Sequence, residues 1–260
     1  MDCPELLLNA MSWAREAGAV HMSYFRGKEL GVESKFNDSD IVTAADKAAE
    51  RLLIGHIRDE YPDHSILSEE SGASDHTGDY RWVIDPLDGT TNFSQGLPQF
   101  SVSVGVEYKG EPLIGVVFAP YLNELFHAVR GEGAYLNGTP ISVSCKSELG
   151  HSVVATGFPV DKDSNPDNNL DNVAAVMPRV RGLRRLGSAA MDLCYVGAGF
   201  LDGYWEMNLH AWDVCAGLLV VEEAGGRYTH FRHDRNISLV AGTPDIHDRL
   251  LALLSSGAKL

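Results

Sequence analysis

No stretch of this sequence approaches the roughly 18 consecutive apolar residues that a membrane-spanning helix needs, and no membrane partner is expected. The opening segment, MDCPELLLNAMSWAREAGAV, lacks a basic leader followed by a long apolar run. It does not resemble a secretory signal, and the cytoplasm is the expected compartment. Cysteine is scarce, with Cys3, Cys145, Cys194 and Cys215 far apart and no C-x-x-C spacing. They are expected to be free, mostly buried thiols of a reducing compartment, and neither a zinc site nor a disulfide framework. Basic residues are also few: 21 against 36 acidic ones, a formal charge of −15. That balance disfavours non-specific binding to nucleic acid or to an anionic membrane. Repeats, low-complexity tracts and flexible linkers are absent.

What remains is a 260-residue chain with 44% hydrophobic and 22% charged residues. It is ordinary for a globular protein and ample for a sizeable core. Pro4 to about Arg26 reads as an amphipathic helix, with Leu7, Met11, Ala14, Val20 and Tyr24 at helical intervals and Gly27 closing it. TAADKAAERLLIGHIRDEY reads as a second helix. Thr43 is a natural N-cap, Asp46 lies in the first turn, and Ala45, Ala49, Leu52, Leu53 and Ile57 form the buried side. HSILSEES and RWVID read as short strands, and FSVSVGVEY, PLIGVVFAP, ELFHAV and GAYLNG follow at meander spacing. Asn165 to Asn172 reads as a polar surface loop. Beyond it helices and strands alternate, ending in the helix DIHDRLLALLSS. An antiparallel N-terminal half joined to an α/β C-terminal half implies layered sheets and helices, an α+β architecture.

The segment WVIDPLDGTTNF, Trp82 to Phe93, carries the chemistry. An apolar strand delivers Asp85 to its end, Pro86 fixes a turn, and Asp88 points back to the same space beside the Leu87 carbonyl. Two carboxylates and a carbonyl are hard oxygen ligands suited to Mg²⁺. Gly89, Thr90 and Thr91 then begin a helix, whose leading N–H groups suit a phosphate. A calcium-binding EF-hand loop is excluded, because Pro86 and Leu87 occupy positions where it alternates ligands. The two-residue interval also separates this motif from the D-x-D-G-T arrangement of aspartyl-nucleophile phosphatases. Glu69, Glu70, Asp213 and Asp46 add carboxylates, each of which alone suits an exposed loop or a helix N-terminus. Crowded together, carboxylates are costly without cations. Cations would also draw a phosphate substrate toward so acidic a chain. His210, near Asp213, is expected to be a packed or supporting residue and not a nucleophile.

The motifs SEES, DPLDGTTNF, ATGFP, RRLGSAAMDLCYVGAGFLDGYWE and EMNLHAWDVCAG, in this order, resemble the inositol monophosphatase family, and its bacterial members above all. The resemblance runs from SDIVTAADKAAE to the C-terminal helix. It implies one domain over residues 1–260, with two intimate lobes at roughly 1–145 and 146–260. The implied fold is a layered α/β/α/β/α sandwich of the sugar-phosphatase type, shared with fructose-1,6-bisphosphatase. It also implies Mg²⁺-dependent hydrolysis of a small phosphorylated polyol, two or three Mg²⁺ per active site, a homodimer and inhibition by Li⁺. By motif position, Glu69, Asp85 and the Leu87 carbonyl resemble the ligands of a first metal, and Asp85, Asp88 and Asp213 those of a second. Glu69 also resembles a residue that shares a third metal through water. Thr90 and Asp46 resemble the pair that orients the attacking water, and the Gly89 and Thr90 N–H groups resemble the phosphate cradle. Gly187, Ser188, Ala189 and Glu206, with Asp213 beside them, match positions that meet the alcohol portion. DGTTNF is typical of the inositol-phosphate branch. Fructose-1,6-bisphosphate and NADP phosphatases share the core, and a non-catalytic cation-binding scaffold is the alternative of a different class.

Overall fold

The computed structural model describes residues 3–27, 30–35, 41–74, 76 and 78–255. Ser39 and Asp40 of SDIVTAADKAAE, and Ser256 at the end of the expected last helix, lie outside the described residues. The chain opens with α1 (Cys3–Tyr24), the short ribbon β1 (Glu33–Ser34) and β2 (Ile41–Val42), and α2 (Ala44–Glu60). It continues through β3 (Ser65–Ser68), β4 (Gly72–Ser74), β5 (Tyr80–Asp88), α3 (Thr90–Ser94), β6 (Ser101–Tyr108), β7 (Glu111–Ala119), β8 (Glu124–Val129), β9 (Gly133–Leu136) and β10 (Thr139–Ile141). The second half holds β11 (Val153–Thr156), α4 (Leu170–Val176), β12 (Gly182–Arg184), α5 (Ala189–Gly197), β13 (Gly203–Leu209), α6 (Ala211–Glu223), β14 (Arg227–Arg232), β15 (Ile237–Gly242) and α7 (Pro244–Ser255).

The strands form an eight-stranded sheet in the order β10-β9-β8-β7-β6-β5-β3-β4 and a five-stranded sheet in the order β12-β11-β13-β15-β14. Helices α1 and α2 cover one face of the larger sheet. On the other side α5 and α6 pack against both sheets, and α7, with α4 beside it, covers the outer face of the smaller one. The layers run α/β/α/β/α, as the motifs implied. Among the described residues no helix is long and apolar enough to cross a membrane.

Strand β6 shows how the layers are sorted. Val102, Val104 and Val106 enter the core beneath α1 and α2. The alternate residues Ser101, Ser103 and Gly105 are small and face the other way. A Cβ on Gly105 would lie 2.5 Å from the Cys215 sulfur, and one on Gly115 would lie 2.5 Å from the Ala216 carbonyl oxygen. Two missing side chains thus let α6 lie close on the sheet, which sets the position of Asp213 at its start.

Several local expectations are corrected. The larger sheet is not wholly antiparallel, because β3 pairs with β5 in parallel, Ser65 opposite Arg81 through Ser68 opposite Ile84. Strand β5 does not end at Asp85. It continues to Asp88 with a bulge, since Asp85 faces Ser103 and Asp88 faces Ser101. Helix α1 buries Leu6, Ala10, Trp13, Ala14, Ala17 and His21, a face rotated from the expected one. Small residues allow its close approach, and a Cβ on Gly18 would strike the Phe118 ring. The expected surface loop at Asn165 to Asn172 holds a buried residue, Asn169, and α4 begins within it. Among the thiols Cys194 and Cys215 are buried, but Cys145 is exposed.

Candidate active site

The parallel pairing of β3 and β5 creates the site. Parallel strands end on the same side, so Glu69, just past β3, stands next to Asp85, and Glu69 N–H donates to the Ile84 carbonyl at 3.3 Å. The bulge in β5 inserts one extra residue between Asp85 and Asp88 and re-aims the strand there, as bulges do. Pro86 has no N–H to lose at this interruption. Asp85 accepts from the Leu87 N–H at 3.0 Å. Gly89 then takes φ +93° and caps α3. A side chain there would lie 2.8 Å from the Gln99 carbonyl oxygen, so this turn requires glycine.

Three other segments complete the cluster. Asp46 lies in the first turn of α2, in a capping box with Thr43, and Thr90 Oγ1 lies 3.0 Å from Asp46 Oδ1 and 3.0 Å from the Leu87 carbonyl oxygen. Asp213 occupies the corresponding turn of α6 and accepts from the His210 N–H at 2.6 Å. His210 stacks on Trp212 and serves as the N-cap of α6, a supporting role. At the start of α5, the Ser188 hydroxyl donates to Asp88 at 2.5 Å and the Ala190 N–H donates at 2.8 Å.

The electrostatics follow from burial. Asp85 is pushed well above the usual carboxylate range by desolvation and then by the charges of Glu69, Asp88 and Asp213. Asp88 is raised to about 7 by burial, against the opposing hydrogen bond from Ser188. Burial also raises Asp46, and it raises Glu69 against the nearby Lys35. A group of carboxylates held above its ordinary range is short of positive charge. Lys35 supplies part of it, its ammonium 2.7 Å from Glu69 and 2.5 Å from Glu70.

The donor set fits a hard divalent cation, being all oxygen from carboxylates and one carbonyl. Among the described residues no group of three or more carboxylate, histidine or cysteine side chains is arranged to hold a metal ion. Asp85 is turned to the Leu87 amide and Glu69 to Lys35.

A cavity of about 790 Å³ opens over the cluster. Of the residues singled out in the sequence, Glu69, Asp88, Gly89, Thr90, Gly187, Ala189, Glu206 and Asp213 line it. Asp46, Asp85 and Leu87 are buried behind that surface. Ser188 was expected to meet the alcohol portion of a substrate. It is instead 1% exposed, with its hydroxyl committed to Asp88, and so acts on that carboxylate. Glu206, on β13, accepts from the Tyr204 hydroxyl, and burial raises its carboxyl to about 7.

Sequence reasoning missed Lys35, Arg185, Lys162 and Asn92. Arg185 and Lys162 line the cavity, and Asn92 Nδ2 donates to the carbonyls of Gln99 and Leu186 at 2.7 Å each, tying α3 to the Gly187 loop. The two arginine-lysine positions and Lys35 read locally as surface charge. Only Asn92 carried a signal, as the amide within DGTTNF.

Comparison with known proteins agrees with this geometry. The model of the inositol monophosphatase family matches residues 4–258. A Pasteurella multocida protein named Nus factor SuhB is 44% identical over 248 residues, covering 93% of this chain and 92% of its own. The structure of an inositol monophosphatase from Anabaena has TM-score 0.87 and 40% identity, covering 97% of this chain and 96% of its own. That of extragenic suppressor protein suhB from Bartonella henselae has TM-score 0.91 and 36% identity, covering 97% and 99%.

Proposed function

The chain belongs to the inositol monophosphatase family, and from that premise we propose that it hydrolyses small phosphomonoesters with Mg²⁺, myo-inositol monophosphate being the leading substrate. The observation that carries the reading is the gathering of Glu69, Asp85, Asp88 and Asp213 from three separate segments, beside the bonded pair Thr90 and Asp46. Two families of oxygen ligands are proposed: Glu69, Asp85 and the Leu87 carbonyl for one Mg²⁺, and Asp85, Asp88 and Asp213 for another. Glu69 would also help to hold a third through water. Bound Mg²⁺ supplies charge stabilisation to the phosphate and makes a coordinated water more acidic.

The chain's own groups do the rest. Thr90 shares its hydroxyl proton with Asp46 and the Leu87 carbonyl, which leaves an oxygen lone pair to orient a water for attack. Asp46, raised by burial, is a ready proton acceptor. The Gly89 and Thr90 N–H groups at the start of α3 face a phosphate. Gly187 and Ala189 border the alcohol portion, and Glu206 accepts from its hydroxyls. Ser188 contributes through Asp88.

The test is phosphate release from a panel of about a dozen phosphomonoesters, including inositol 1-phosphate, fructose 1,6-bisphosphate and NADP, with Mg²⁺ varied. Mg²⁺-dependent release from inositol 1-phosphate above the others is expected, with inhibition by millimolar Li⁺. No release from any ester would overturn the reading. The homodimer and the cytoplasmic location belong to the same proposal. A role of the kind named in the Pasteurella relative, a Nus factor, is a second reading favoured by the 44% identity. Asp85→Asn separates the two, because it removes hydrolysis and leaves the protein's surface intact.

A further inference from the structure

His21 is fully buried in the last turn of α1. Its Nε2 lies 2.8 Å from the Pro86 carbonyl oxygen, 65 residues along the chain. A carbonyl only accepts, so Nε2 carries the hydrogen and Nδ1 is the bare nitrogen. Among the described residues Nδ1 is buried with no hydrogen-bond partner. An orphaned buried nitrogen is a cost that an aliphatic side chain would avoid, so the ring is not inexpensive core filler. Phe93 and Phe100 hold it edge-on, each with its centroid 6.0 Å away. Burial lowers its pKa to about 4, so the ring stays neutral.

The partner explains the need. The bulge between Asp85 and Asp88 takes Pro86 and Leu87 out of the β5–β6 ladder. Their carbonyls lose sheet partners where water is excluded, and Leu87 is fully buried. The Pro86 carbonyl and the Leu87 N–H belong to one peptide plane. His21 holds its oxygen end at 2.8 Å, and Asp85 Oδ1 holds its N–H end at 3.0 Å. A peptide plane clamped at both ends fixes the start of the next one, which carries the Leu87 carbonyl.

We propose that His21 is a positioning residue of the divalent-cation site, its Nε2–H bond to the Pro86 carbonyl setting the Pro86–Leu87 peptide so that the Leu87 carbonyl and the Asp85 carboxylate face the cation. The proposal rests on the reading of Asp85 and Leu87 as cation ligands.

Binding of Mn²⁺, followed by electron paramagnetic resonance, tests it without turnover. His21→Leu removes the donor and keeps the bulk, and supporting residues of metal ligands typically change affinity by about tenfold or more. Mn²⁺ binding at least about tenfold weaker is expected for His21→Leu. His21→Gln, which restores an N–H, is expected to stay within about threefold of the wild type. Equal binding by wild type and a folded His21→Leu overturns the proposal alone, as does equal loss in the glutamine and leucine variants. A wild-type chain that binds no Mn²⁺ overturns the cation-site reading and this proposal with it. Should His21→Leu fail to fold, ¹⁵N NMR of the wild-type ring decides. The Nε2–H signal is expected to shift on Mg²⁺ saturation, and a signal that does not move overturns the proposal.

Discussion

At the scale of single residues, the site is a set of carboxylates each held by a donor of its own: Asp85 by the Leu87 amide, Asp88 by Ser188, Asp46 by Thr43 and Thr90, Glu69 by Lys35. Removing a charge and removing a donor therefore have opposite effects on the crowding. Asp85→Asn is expected to reduce kcat below about a tenth of wild type, since metal-stabilised charge is worth several kcal/mol. The same variant, freed of metal, is expected to melt no lower than wild type in calorimetry, because its neighbours lose a repelling charge. Retention of more than a tenth of kcat would show that Asp85 is not a shared ligand. Ser188→Ala takes away the donor that restrains Asp88. The half-saturating Mg²⁺ in a phosphate-release assay is expected to rise about tenfold, with Ser188→Thr close to wild type. An unchanged Mg²⁺ requirement in the alanine variant would place Ser188 outside the cation site.

At the scale of elements, the wall of the cavity depends on Asn169, which stands at the N-cap of α4 with φ 77°. Its Nδ2 donates to Thr156 Oγ1 at 2.9 Å and to the Gly157 carbonyl at 2.6 Å, and its Oδ1 accepts from Trp205 Nε1 at 2.8 Å. One side chain thus joins the end of β11 and the start of α4 to Trp205 within β13. Gly157 lies against Glu206, so closely that a Cβ there would be 2.0 Å from both carboxylate oxygens. Asn169→Ala leaves buried partners unmet and is expected to cost about 2 kcal/mol or more in urea unfolding. KM for inositol 1-phosphate is expected to rise more than KM for p-nitrophenyl phosphate, because Glu206 loses its backing. Equal changes for both esters would separate the clamp from substrate choice. Polar composition concealed this residue, since an Asn amid Asp and Ser reads as loop until its partners are folded around it.

For the whole molecule, pH and Mg²⁺ act on the same reserve of repulsion. Glu206 is raised to about 7, against roughly 4.3 in an unfolded chain. Between those values the folded state holds a proton that the unfolded state has released, so stability falls as pH rises. The crowded cation-site carboxylates share this sign. His21 has the opposite one: at about 4 it stays neutral while an unfolded histidine protonates near 6.5, so stability is lost as pH falls through that window. Chelated protein is expected to melt several degrees lower at pH 8 than at pH 5.5, at roughly 2–4 °C per kcal/mol for a chain of this size. Saturating Mg²⁺ is expected to raise the pH 8 value by mass action. A chelated protein as stable at pH 8 as at pH 5.5, or a melting temperature indifferent to Mg²⁺, would contradict the crowding argument.

By itself the sequence determined most of the element order, the layered class and the membership of the carboxylate cluster. Those follow from local signals: helical spacing and the Thr43 cap in α2, alternation in β6, and the fixed order of SEES, DPLDGTTNF and HAWD. Tertiary structure decided which of those carboxylates face the cavity and which support it. The parallel alignment of β3 with β5, the bulge that carries Asp85 into Asp88, and the turning of Ser188 toward Asp88 all depend on partners distant in the chain. So do the bond from His21 to Pro86 and the buried place of Asn169. Local propensity records what a residue prefers among its neighbours. Hydrogen bonds across 65 or 100 residues arise only when layers pack, because the buried group that needs a partner is created by the packing itself.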